Sequence, residues 1–351
     1  MKTKKQFLDI FYIGSYRKLS EVIGNMQQGA NFIREIDKTK QKIEARYTKE
    51  FIRLYKRIGN DLINLLQKNQ SINFQETFKN YTPDYVYLFR NIFNDTKKEL
   101  GYGIRTKLNF NLSNQVLLKS VVVSETEQEK VNDLFDEKYT LLLNNGTEEL
   151  ANNDFTNSEA NYFENLYNKS IGRYDEFIAG QRQEQSTLGT ELLGLLLITN
   201  PSKAEKTRIK YLQKRTEALK QNINDITVKR NKTVLSYFKD NLEQKIPSRS
   251  KSNTEYITGQ ASSEVRETEY QAIKQSNAIA TSGVLVASLI NKVWIHWSLR
   301  NPRPLHVALN GSQADFQGNF NVGGYYVPKP RDFTLPASES VNCRCEVEYA
   351  I

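Results

Sequence analysis

The chain has 351 residues, more than one typical domain, which predicts two domains with room for additional helices. Hydrophobic residues make up 38% of it and charged residues 25%, a globular balance that excludes wholesale disorder. The most apolar run, residues 192–198, is far shorter than the about 20 residues needed to cross a bilayer, so no membrane segment is expected.

The net charge of +9 is concentrated in two segments. Residues 1–70 carry 15 basic and 7 acidic groups, and residues 203–245 carry 12 and 5, whereas residues 71–202 carry 12 and 19. Packing of positive against negative helices, within the protein or across subunits, explains the acidic middle. For residues 203–245 a second interpretation stays open, which is a sequence-independent and salt-sensitive contact with nucleic acid.

Most of residues 1–245 is predicted to be helical. Apolar side chains recur at three- and four-residue spacing over residues 51–66, as on one face of a long amphipathic helix. A second helix is expected to begin at Thr82, followed by a proline in the first turn. A third should begin at Ser124, because Ser124 and Glu127 have the spacing of a capping box.

Residues 203–245 are predicted to form the clearest long helix, with an apolar side and a basic side. The ordinary explanation is a packing seam with a solvated face. The alternative is a DNA-facing surface, and its candidate residues are Lys206, Lys210, Lys214 and Arg230.

The sequence predicts an α+β fold in which a predominantly helical N-terminal region, residues 1–245, precedes a small C-terminal domain of helix and β-sheet. Polar, turn-forming residues after Pro247 predict a linker over residues 246–262. Residues 263–293 are again helical in pattern. From Trp294 onward, prolines and glycines punctuate short extended pieces. The C-terminal domain is therefore placed at residues 263–351.

The last predicted strand, residues 341–349, alternates strictly between apolar and polar residues. A two-residue period places Cys343 and Cys345 on the face that points to the core. It places Glu346 and Glu348 on the face that points to solvent.

Several short motifs follow one another over residues 264–351. Their residues are Arg266, Glu269, Trp294, Arg303, His306, Gly311, Gly323, Gly324, Asp332, Asn342, Cys343, Arg344 and Cys345. In this order they resemble the C-terminal domain of the Mu F-like phage head-morphogenesis family. The most specific piece is the closing Asn-Cys-Arg-Cys at this distance behind an Arg-x-x-His. The resemblance covers about a quarter of the chain.

The resemblance implies a structural minor capsid protein without enzymatic activity or cofactor. Such a protein is built into the phage head in several copies, inside the capsid near the portal vertex, after assembly in the host cytoplasm. Its implied partners are the portal protein, the major capsid protein or both, and packaged DNA bound without sequence preference.

A zinc site is one alternative role for the C-terminal motif. Cys343, Cys345 and His306 are ligands of the right type, and Asp332 or Asp315 is a conceivable fourth. Against it, Cys-x-Cys is not the usual zinc-knuckle spacing, and buried cysteines commonly act as small hydrophobic residues. The sequence therefore favours a packing role for both thiols and predicts no metal.

An enzyme is the other alternative, either nuclease-like or resembling an ADP-ribosyltransferase, packaged in the head as an effector. Glu346-Val347-Glu348 has the Glu-x-Glu form of such transferases, and a cysteine nucleophile with His306 as base is conceivable. The plainer expectations are that both glutamates are solvated and that His306 fixes the turn before Gly311. His296 is expected to serve only in packing.

Three charged residues lie near the start of the motif. Arg266, Glu267 and Glu269 are expected to form ion pairs on a helix surface. Docking of that helix onto the strand domain is the alternative.

Overall fold

The computed structural model describes most of the chain, and its ranges are residues 4–68, 72–101, 124–277, 285–296, 303–315, 317–332, 334–340 and 343–350. Over residues 4–35 it describes the backbone alone. The strand or extended arm that the sequence suggests at residues 108–123 lies outside the described residues.

The fold is α+β, and helices make up most of it. The helices that precede the strands are α1 (Lys4–Gln67), α2 (Phe74–Lys79), α3 (Thr82–Leu100), α4 (Glu125–Leu141), α5 (Thr147–Leu150), α6 (Thr156–Leu196), α7 (Lys203–Val228) and α8 (Arg230–Ser276). Two π-helical turns, Leu142–Gly146 and Ala151–Phe155, connect α4, α5 and α6. Within the described residues, no helix combines the length and the apolar character that a bilayer crossing requires.

The strands follow α8 near the C-terminus. The elements there are a 3-10 turn (Val286–Leu289), β1 (Asn291–Ile295), α9 (Pro304–Ala308), β2 (Phe320–Val322), β3 (Tyr325–Val327), α10 (Ala337–Ser340) and β4 (Glu346–Ala350). Strands β1 and β4 pair antiparallel, and β2 and β3 form a hairpin. Gly323 and Gly324 make its turn at φ +61° and +96°, where a side chain would strain the backbone, so the predicted glycine turn is confirmed.

The chain divides into two compact units. The first comprises Met1–Phe51, Tyr85–Leu150 and Lys251–Ile351. The second comprises Ile52–Asp84 and Ala151–Ser250. The four strands of the described residues therefore all belong to the first unit.

The core of the first unit surrounds Trp294, which is fully buried in β1. Strand β4 contributes Val347, its pairing partner across the sheet. Helix α4 contributes Phe135 and Tyr139, and α8 contributes Val265, so these helices cover the small sheet with apolar side chains. Burial of large aromatic groups is the main source of stability here, since the strands are too short to stand alone.

The second unit contains a helical hairpin made of α6 and α7. Leu212 and Leu219 of α7 are buried in its seam. Arg208 and Arg215 on α7 pair with Glu191 and Glu184 on α6 at 2.7 Å each, which fixes the antiparallel register. The predicted amphipathic character of residues 203–228 is thus confirmed.

Three helix boundaries differ from the sequence prediction. The expected linker at residues 246–262 is helical, because α8 continues through Pro247. Ile246 and Ile257 are buried on either side of this proline, and such packing offsets the cost of about 3 kcal/mol that an interior proline carries. The predicted helix over 203–245 is interrupted at Lys229, between α7 and α8.

The third difference is the helix expected over residues 263–293. It ends at Ser276, and residues 291–295 form β1 instead. The β-branched and aromatic residues of β1 fit a buried strand as well as a buried helix, so periodicity alone does not separate the two.

Candidate functional site

The pairing register of β1 and β4 positions the first part of the site. Ile295 is opposite Glu346. One residue further along each antiparallel strand, His296 and Cys345 face each other, and His296 Nδ1 lies 3.4 Å from Cys345 Sγ. His296 is therefore more than a packing residue, contrary to the expectation from sequence.

Helix α9 adds a second imidazole to the two thiols. His306 Nδ1 lies 3.4 Å from Cys345 Sγ and 3.4 Å from Cys343 Sγ. Each of these three residues offers a ligand atom within 4.8 Å of the other two, and all three are buried. Both thiols are free and face inward, which confirms the predicted burial of the cysteines. They meet His306, however, and not apolar groups alone.

The far side of the His306 ring is held by a carboxylate. His306 Nε2 lies 3.0 Å from Glu339 Oε2 on α10. Trp294 packs edge-on against the same ring, with centroids 5.6 Å apart. These contacts fix the ring with Nδ1 toward the sulfur atoms. The expectation that His306 fixes the turn before Gly311 is wrong, because its ring contacts the two thiols and Glu339. Backbone hydrogen bonds from Asn310 N to Val307 O at 3.1 Å and from Ser312 N to Leu309 O at 2.8 Å close that turn.

The two thiols differ in acidity. The pKa of Cys343 lies well below its ordinary value, because Cys345 donates a hydrogen bond to it and because His306 and the Arg331 guanidinium are close. The pKa of Cys345 is raised, since it is the donor and is also buried. The pair therefore holds one thiolate readily, in a setting that favours negative charge on sulfur.

A cluster of buried charges adjoins the cysteines. Glu346 is 2% exposed and accepts hydrogen bonds from Lys40 Nζ at 2.9 Å and Arg331 Nη2 at 2.8 Å. Arg266 Nη1 lies 3.7 Å from its other oxygen. Burial alone raises the pKa of a carboxyl, but these cations outweigh it and lower the pKa of Glu346 to about 2. Glu346 is thus an ion at neutral pH.

Arg331 connects the charge cluster to the cysteine segment. Its Nη1 donates to Cys343 O at 2.7 Å, and its Nη2 also donates to Ser263 Oγ on α8 at 2.8 Å. A side chain at Gly259 would meet Arg331 Nε at 3.0 Å. Glycine at this position therefore allows the guanidinium to lie flat against α8.

Two further buried lysines tie α8 to the strand segment. Lys292 Nζ on β1 contacts Glu267 Oε2 at 2.8 Å and the carbonyl oxygens of Gly318 and Pro328 at 2.9 and 2.6 Å. Lys329 contacts Glu264 at 3.0 Å and Asp332 at 2.6 Å. Each ammonium group replaces its lost hydration with acceptors from two or more segments, so both contribute to docking the elements together.

Two expectations for charged residues are corrected. Glu346 is not solvated, because it is buried and paired with Lys40 and Arg331, whereas Glu348 is half-buried. Arg266, Glu267 and Glu269 are 5%, 7% and 0% exposed, so they are buried and do not form surface pairs. Their burial agrees with the alternative expectation, in which these residues dock the helix onto the strand domain.

The proposed fourth metal ligands are also elsewhere. Asp332 is held by Lys329 and by Thr334, and its pKa is lowered, since the Lys329 ammonium outweighs the effect of burial. Asp315 caps its own turn by accepting from the backbone nitrogens of Gln317 and Asn319 at 2.9 Å each.

The remaining motif residues are dispersed around the site. Arg303 Nη1 donates to Glu339 O at 3.3 Å, and exposed Arg344 lies 3.4 Å from Glu255. Asn342 lies outside the described residues.

Three partners in the site were not predicted from the sequence, and they are His296, Glu339 and Lys40. Their contacts depend on strand register and on helices distant in sequence. No local motif signals such contacts.

The candidate DNA-facing residues belong to the second unit, three on α7 of the hairpin and Arg230 at the start of α8. Lys206, Lys210 and Lys214 are exposed on α7, and Arg230 is exposed with its guanidinium over the Tyr174 ring at 5.4 Å. They are therefore accessible, as a contact with a phosphate backbone requires.

Comparison with known proteins gives no relative for this chain, since no family model, no curated protein and no solved structure matches it.

Proposed function

We propose that the chain is a non-enzymatic minor capsid protein that organises phage head assembly at the portal vertex. The observation that carries the proposal is the burial of the residues behind the resemblance. Arg266, Trp294, His306, Cys343 and Cys345 are each at most 8% exposed, and all belong to the first unit. Residues buried in this way contribute to a folded core.

The same burial speaks against the enzyme alternatives. A transferase glutamate has to reach its substrate, and Glu346 is held by Lys40 and Arg331 inside the unit. A cysteine nucleophile needs an accessible sulfur, and Cys343 and Cys345 are 8% and 2% exposed. The chemistry of these groups is better suited to holding the chain together.

A surface for protein partners is present at the tip of the α6–α7 hairpin. Leu193, Leu196, Leu197 and Ile198 are exposed there, and Leu197 is 85% exposed. Contiguous apolar side chains on a surface mark interaction sites. We assign this tip to the contact with the portal or major capsid protein.

Replacing Leu197 with glutamate should weaken co-sedimentation with procapsids about tenfold or more, since loss of a central apolar anchor commonly costs over 1 kcal/mol. The measurement is pelleting of the purified chain with procapsids or portal rings from the same genome. Val228→Glu, at another exposed apolar position of α7, is the matched control. Equal pelleting of both variants and the wild type would remove the tip from the contact.

A contact with packaged DNA is the second part of the proposal, supported by the exposed basic face of α7. Changing Lys206, Lys210 and Lys214 to alanine should flatten the salt dependence of DNA binding, by about 0.9 in slope for each phosphate that is no longer neutralised. The measurement is binding to random-sequence duplex at several salt concentrations. Lys239→Ala serves as control, and an unchanged slope in the triple variant would contradict the assignment.

A further inference from the structure

We propose that Cys343, Cys345, His306 and His296 bind one zinc ion in a closed, structural site that holds α9 and the end of the β1–β4 sheet together. The site is independent of the proposed capsid role and rests on geometry within the first unit.

Interatomic distances are the first support for this site. Tetrahedral zinc, with Zn–S of about 2.3 Å and Zn–N of about 2.0–2.1 Å, separates a sulfur from a nitrogen ligand by about 3.5 Å. The three Nδ1–Sγ distances, from His306 to both sulfurs and from His296 to Cys345, are all 3.4 Å. The ligand atoms of His306, Cys343 and Cys345 all lie within 4.8 Å of one another. His296 Nδ1 adjoins this group through Cys345 alone, so its ring has to move toward the other three ligands to complete the site.

The environment of His306 is the second support. A metal-bound imidazole generally donates its other ring N–H to a carboxylate, which fixes the ring and strengthens the ligand. Glu339 Oε2 lies 3.0 Å from His306 Nε2, while Nδ1 faces the sulfurs. The carboxylate therefore orients the ring as a zinc-bound imidazole requires, with Nδ1 available to the metal.

The charge of the ligand set is the third support. Two thiolates would neutralise a divalent ion, and two neutral imidazoles complete four ligands. Soft sulfur with imidazole favours zinc over magnesium or calcium. Arg331 lies against the backbone of Cys343, with Nη1 2.7 Å from its carbonyl oxygen, and favours a negative sulfur there.

The site cannot be recognised from the spacing of its ligands in the sequence, because they come from three separate segments. Cys343 and Cys345 precede β4, His306 is on α9, and His296 follows β1. Cys-x-Cys is an unusual pair for zinc, because residues two apart in a regular strand share a face but are held apart. The backbone before β4 is not a regular strand, so the two sulfurs can approach each other more closely.

The test is metal binding by the full-length wild-type chain. Purified without chelator, it should contain one zinc per chain by mass spectrometry of the element. After exchange to cobalt(II), it should show a thiolate-to-cobalt charge-transfer band and the intense visible bands of a tetrahedral site. A folded wild-type chain that gains neither band, with both thiols open to a thiol reagent, would overturn the proposal.

Variants separate the ligands from their surroundings. Cys343→Ser, Cys345→Ser and His306→Asn should each abolish the tetrahedral spectrum, and His296→Asn should weaken binding and shift the visible bands. Glu339→Gln should keep the spectrum but lower metal affinity about 10–100-fold, as a positioning residue does. Asp315→Asn is the matched control and should behave as wild type. An unchanged spectrum and affinity in His296→Asn would overturn the four-ligand site.

Discussion

Replacing Glu346 with glutamine should lower the free energy of unfolding of the first unit by about 3–5 kcal/mol, the usual cost of removing one partner from a buried ion pair. The carboxylate is the common acceptor for Lys40 and Arg331, with Arg266 close by. Glutamine preserves the shape but leaves these buried cations without a counter-charge.

The measurement is urea unfolding followed by tryptophan fluorescence. Trp294 is fully buried in β1 of the first unit and so reports on its unfolding. Glu129→Gln is the matched control, because Glu129 is an exposed carboxylate on α4 of the same unit. A surface-like change within about 0.5 kcal/mol is expected for it. Equal effects of the two substitutions would contradict the assigned role of Glu346.

Replacing Lys292 with methionine should also destabilise the first unit by about 3–5 kcal/mol. Methionine leaves Glu267 charged and buried, and it deprives the carbonyl oxygens of Gly318 and Pro328 of their donor. Burial lowers the pKa of Lys292, which shows how strongly the site depends on the neighbouring carboxylate to keep the ammonium charged.

A second substitution distinguishes lost charge pairing from lost packing. Lys292→Met combined with Glu267→Leu should recover part of the stability, because replacing both members of a buried pair by apolar groups can be nearly neutral. Lys274→Met, at an exposed position of α8, is the control and should change stability little. If the double variant loses more free energy of unfolding than the two single variants together, Lys292 and Glu267 do not stabilise each other as a pair.

Helical patterns were the most predictable part of the fold. The stripe on α3 is buried at Tyr85, Phe89 and Phe93, as its spacing predicts. Ser124 Oγ accepts from Glu127 N at 3.3 Å, so the predicted helix start is confirmed. Local side-chain spacing and capping determine these features, and both are visible in a short window of sequence.

The charge cluster was not predictable in the same way. The alternating pattern of the last strand predicted that one of its faces is exposed to solvent. Lys40 of α1, 306 positions away in sequence, instead contacts Glu346 on that face. A two-residue period shows which side chains share a face of the strand, but it does not show whether solvent or another helix covers that face. The same limit applies to His296, whose position opposite Cys345 follows from the pairing of β1, a strand whose first three residues the sequence predicted as helix.

The central claim is that the chain is a structural component of phage particles, and its most direct test is its presence in them. Virions or procapsids made from the genome that encodes the chain should contain it in several copies, retained with the capsid and portal after density-gradient purification. Quantitative mass spectrometry of purified particles gives that copy number. Particles that form normally and lack the chain would contradict the claim.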